Sequence, residues 1–84
     1  MNRKDKLISR FKTQPSDFTW DELVRLLHQL GFIEGPAGKT AGSRRRFIHE
    51  TPGVVSLHRP HPDPVVKGYV LRALKQKLED EKLI

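Results

Sequence analysis

The stretch RRRFIHETPGVVSLHR, Arg44 to Arg59, decides the fold. Two runs, Arg44–Glu50 carrying the apolar pair Phe47-Ile48 and Val54–Arg59 carrying Val54, Val55 and Leu57, flank ETPG, which carries a turn signal, so the segment reads as an antiparallel hairpin. Side chains alternate across a strand. If Phe47 packs inward, Arg45 and His49 share its face, and Arg44, Arg46 and Ile48 take the opposite one. On the second strand Val55 and Leu57 point inward, leaving Val54, Ser56 and His58 outward. Face-matching then allows two registers. Phe47 opposite Val55 sets Arg44 against His58; Phe47 opposite Leu57 sets Arg46 against His58.

Upstream of the hairpin, Phe32-Ile33-Glu34 reads as a further short strand, followed by the loop GPAGKTAG. Before it, TWDELVRLLHQLGF carries a full set of helix signals. Thr19 and Glu22 make a capping box, Phe18 and Leu23 a hydrophobic staple, and Gly31 suits the position just past the helix end. Trp20, Leu23, Val24, Leu27 and Leu30 form its apolar stripe. KDKLISRFK (4–12) places Leu7, Ile8 and Phe11 on one stripe of a short, loosely docked helix, and the turn-rich TQPSDF follows. Downstream, RPHPDP is too rich in proline for regular structure. Asp63 is expected to cap a last helix with Pro64 at its first position, and Val66, Tyr69, Val70, Ala73, Leu74 and Leu78 to face the core.

The expected fold is α+β, in the order α-α-β-β-β-α, with helices on one face of a three-stranded antiparallel sheet. Trp20, Leu23, Leu27, Phe47, Leu57, Tyr69, Val70 and Leu74 should share one core. At 84 residues the chain has room for a single small domain, and 36% hydrophobic with 31% charged residues suits a globular one.

Composition narrows the function. There is no cysteine, which excludes disulfides and thiolate chemistry. The basic start MNRKDKLISRF lacks the apolar core of a signal peptide, and no apolar run is long enough to span a membrane, so a cytoplasmic protein is expected. Sixteen Lys and Arg against ten Asp and Glu give a net charge of +6 and a pI near 10.1, which favours a polyanionic partner such as nucleic acid. Lys39, Arg44, Arg45 and Arg46 lie close together with no acid among them, and they are the first candidates for RNA contact.

Guanidinium groups bind phosphate bidentately and stay charged at any working pH. A neutral imidazole beside them can take the proton of a ribose 2′-hydroxyl, the opening step of RNA cleavage without a metal. His58 is therefore the candidate base. Arg59, Lys67 and His61, in the proline-rich turn, complete the candidate RNA contacts. His28 reads as a boundary residue and His49 as structural. The spacing of His58 and His61 is too weak a pattern for a metal site, and no cofactor is implied.

Several features now carry a resemblance. Leu30-Gly31-Phe32 ends a helix, Gly42-Ser43 leads a strand containing Phe47, the next strand runs into Pro60-His61-Pro62, and Lys67-Gly68 opens the last helix. Together they resemble the HicA toxins over roughly residues 19–84, with residues 1–18 as an N-terminal extension. The resemblance implies a fold similar to the double-stranded-RNA-binding domain, ribosome-independent mRNA endonuclease activity and a HicB-like antitoxin partner. In the family a histidine in the strand after the Gly-Ser or Gly-Gly turn is catalytic; Arg44 stands there in this chain and cannot act as a base. The expectation is a HicA-like toxin that binds RNA and cleaves mRNA as a metal-independent endoribonuclease with His58 as base. The alternative is a noncatalytic module on the same fold that binds RNA or the antitoxin.

Overall fold

The computed structural model describes residues 3–35, 44–49, 53–60 and 63–84. The elements follow the expected order: α1 (Arg3–Lys12), α2 (Trp20–Gln29), β1 (Ile33–Glu34), β2 (Arg44–His49), β3 (Gly53–His58) and α3 (Gly68–Asp80). The strands form one antiparallel sheet in the order β1-β2-β3. Of the two possible registers the first is present: Phe47 pairs with Val55 and Arg44 with His58. Phe47 is fully buried and Val55 nearly so, while Ile48 and Val54 are exposed, so the face assignment holds.

The start of α2 is closed as its sequence dictates. The Thr19 hydroxyl accepts the Glu22 N–H at 3.2 Å, and Glu22 Oε1 accepts the Thr19 N–H at 3.0 Å. Phe18 and Leu23, the staple pair, are both fully buried. At the other end Gly31 takes φ +100°, a left-handed conformation that few other residues adopt. Its Phe32 N–H returns to the Leu27 carbonyl at 2.9 Å. On its buried side α2 presents Trp20, Leu23, Leu26 and Leu27. Leu26 was not among the expected stripe residues, whereas Val24 and Leu30 lie only at its margin.

Helix α1 is not loosely docked. Phe11 is fully buried and meets Phe18 edge to face, with ring centroids 5.7 Å apart. Arg10 clasps the start of α2. Its Nε donates to Glu22 Oε2 at 2.7 Å and its Nη2 to Glu22 Oε1 at 3.2 Å, while Nη2 also reaches Asp17 Oδ1 at 3.1 Å. The hydrogen bond from Arg10 holds the Glu22 carboxyl down at about 2.

The last helix differs most from expectation. Asp63 does not cap it; α3 begins at Gly68, with Lys67 in the cap position and no side-chain cap bond. Asp63 Oδ1 instead accepts the Val65 N–H at 2.9 Å, a local turn that competes with helix. The segment behind it runs extended against the start of α2, with Trp20 N–H on the Pro64 carbonyl and Val66 N–H on the Phe18 carbonyl, both at 2.8 Å. With the helix starting later, its inward stripe is Leu71, Leu74 and Leu78. Tyr69 and Ala73 lie about 160° from Leu71 around the axis, on the opposite side, and both are exposed, contrary to the expected core. Val70 and Leu57 pack at the margin of the core.

Candidate functional site

His58 ends β3, and two clefts meet at it. One, of about 570 Å³, is lined by His58, Arg59, Pro60, Asp63, Lys67 and Tyr69, with Gln14 to Ser16 forming its far wall. The other, of about 400 Å³, runs between β3 and α3 and shares His58, Tyr69 and Val70 with the first. His58 is exposed, and its backbone partner across the sheet is Arg44. Arg59 and Lys67 are exposed in the first cleft. A histidine, an arginine and a lysine thus surround a space large enough for a phosphate and its sugar.

The expected RNA-contact residues do not all share one surface. Arg46 is exposed on the outer face of the sheet, paired with Ser56. Arg45 turns to the helix-covered side, where its Nε lies 3.7 Å from Glu34 Oε1. There it lines a polar hollow of about 460 Å³ with Asp21, Arg25, His28 and Arg59. Arg59 borders both this hollow and the first cleft, which joins the two basic regions around the end of β3. Lys39 and His61 lie outside the described residues.

Arg25 and Tyr69 were missed in the sequence. Arg25 sits on the polar side of an amphipathic helix, where a charge carries no signal of its own. Tyr69 was assigned to the core because the start of α3 was placed too early. His49 fits its structural reading. Its ring packs on Phe32 with centroids 5.0 Å apart, and its Nε2 donates to the Leu30 carbonyl at 3.1 Å.

The Leu30-Gly31-Phe32 corner, the strand carrying Phe47 and the Lys67-Gly68 helix start are thus all parts of one built structure. A sequence-family model described as the HicA toxin of bacterial toxin-antitoxin matches residues 20–79, well over half of the chain. The chain belongs to the HicA toxin family. No curated protein and no solved structure matches it. Membership brings a toxin-antitoxin setting, and with it a partner protein. Among the described residues, no helix of this HicA-family chain is long and apolar enough to cross a membrane.

Proposed function

We propose that this HicA-family protein is the toxin of a toxin-antitoxin pair, binds RNA and cleaves mRNA in the cytoplasm without a metal ion. The observation that carries the proposal is the position of His58, exposed where two clefts meet, with Arg59 and Lys67 beside it and Arg44 opposite in the sheet. In this mechanism the cations hold the scissile phosphate, and the His58 imidazole removes the proton from the adjacent 2′-hydroxyl. The oxygen then attacks phosphorus, the 5′-oxygen leaves, and the product carries a 2′,3′-cyclic phosphate. Residues 19–84 carry the charged groups of the site, and residues 1–18 are an extension whose Gln14 to Ser16 line the first cleft. A HicB-like antitoxin restrains the activity.

His58→Ala tests the chemistry. Cleavage of an mRNA in EDTA should fall by ~10²–10⁴-fold, with RNA affinity nearly unchanged, since a base acts in the transition state more than in binding. Full activity in that variant removes His58 as the base. The second reading, a noncatalytic binder, is favoured by Arg44 at the position where the family resemblance puts a catalytic histidine. It predicts tight RNA binding with no cleavage by the wild-type protein.

A further inference from the structure

The cleft between β3 and α3 has an unusual lining. Every residue from Val54 to His58 contributes to it, and so do Tyr69, Val70, Ala73, Leu74 and Lys77 of α3. Successive strand residues point to opposite faces. A groove lined by all of them therefore runs along the edge of the strand and not across one face. The helix positions, spaced i, i+1, i+4, i+5 and i+8, form one stripe parallel to it.

That edge is open among the described residues: β3 pairs with β2 on one side and is the last strand of the sheet on the other. Sheet edges are normally blunted by lysine, proline or a bulge, because unpaired N–H and C=O groups recruit other strands. The sequence Gly53 to Leu57, GVVSL, contains no charge and no proline, and its pairing with β2 runs through six consecutive residue pairs without a bulge. An undefended edge beside an apolar helix stripe is the geometry by which a domain takes up a peptide as an added strand.

We infer that this groove binds an extended, acidic peptide segment of a partner protein, which adds as a fourth strand on β3 and sets alternate apolar side chains against Val70 and Ala73. The charge argument identifies the partner. Lys77, His58 and Tyr69 are the charged or titratable groups of the groove wall, and Lys67 and Arg59 stand at its His58 end. Asp63 lies in the neighbouring cleft and Asp80 and Glu81 follow Lys77 by one turn of α3, but none of these carboxylates lines the groove. A second copy of this chain, at +6, is repelled from such a surface. RNA is poorly matched, since bases stack on aromatic rings and the walls here are mostly aliphatic. The bound strand covers His58, so peptide and RNA exclude one another; this last consequence rests on the proposed RNA site, whereas the peptide site does not.

The probe is a phage-displayed library of random peptides about ten residues long, matched to a strand, selected on the full chain without RNA. Enriched peptides should alternate apolar with other residues and carry an excess of Asp and Glu. Binding should perturb the backbone amides of β3 and weaken by about tenfold or more in Ala73→Glu and in Lys77→Glu. Both positions are on the surface side of α3, so the folded state is retained and is checked by circular dichroism. The inference is overturned if selection yields nothing, if the peptides lack alternation or acidity, or if both variants bind them normally. It is also overturned if Ala73→Glu abolishes a concentration-dependent dimer, or removes RNA crosslinks to Val54–Leu57. Displacement of the selected peptide by RNA then tests the shared His58. Failure of displacement with peptide binding intact counts against the RNA site alone.

Discussion

Gly31 shows how much one residue can carry. A side chain there would be strained by φ +100°, and its Cβ would stand 2.8 Å from His49 Nε2. Gly31→Ala should therefore destabilise the protein by ~1–3 kcal/mol, read as a lower urea midpoint. Adding His49→Ala should relieve the collision but not the backbone strain, so the double variant recovers only part of the loss. Glu22 makes a different prediction. Its carboxyl is held at about 2 in the folded protein against an ordinary 4.5. A carboxyl with a depressed folded pKa contributes fully above the unfolded value and loses that contribution as pH falls through the folded one. Melting temperature should thus drop between pH 4.5 and 2, and Glu22→Gln should be less stable at neutral pH with a flatter acid limb. The Thr19–Glu22 box was plain in the sequence because it is local. The Arg10 fork was not, since nothing in a linear chain says that a helix before a TQPSDF turn folds back on that box.

Among the elements, α2 and the hairpin were legible for the same reason: caps, turn residues and periodicity agreed. Alternation alone fixed which face of β2 and β3 is buried, and left the register to the pairing of Phe47 with Val55. The start of α3 was misread because Asp-Pro is a good helix opening and an equally good turn. Packing against Phe18 and Trp20 chose the turn. That shift moved Tyr69 and Ala73 from expected core to surface and, with them, created the wall of the groove on β3. Helix α1 was under-read because three apolar residues on a ten-residue helix look weak until their partners are known. Phe11→Ala should cost ~3–5 kcal/mol by chemical denaturation, a loss typical of a core aromatic. A change of less than about 1 kcal/mol, the scale of a surface substitution, would show that α1 is dispensable.

For the whole molecule, the basic charge is divided between the outer sheet face at Arg46, the cleft at Arg59 and Lys67, and the hollow at Arg45 and Arg25. RNA affinity should fall steeply with salt because phosphate contacts release counterions. Arg46→Ala should lower the slope of log K against log salt by about one, measured by fluorescence anisotropy; an unchanged slope would take the outer face out of the RNA path. The candidate site as a whole was half legible. Sequence patterning brought His58 beside Arg44 or Arg46 and the sheet register chose Arg44, but the clefts on either side of it depend on where α3 begins. The extended pairing of Thr19 with Val65 has a kinetic consequence. It joins the start of α2 to the approach of α3, with the entire sheet lying between them in the chain, so closing it costs loop entropy that only the finished sheet and helices can offset. It should form late in folding and open only when the rest does. The Trp20 and Val66 amides, which donate across it, should then exchange with solvent deuterium as slowly as the core of the sheet, although one opens a helix and the other lies in a short connecting segment.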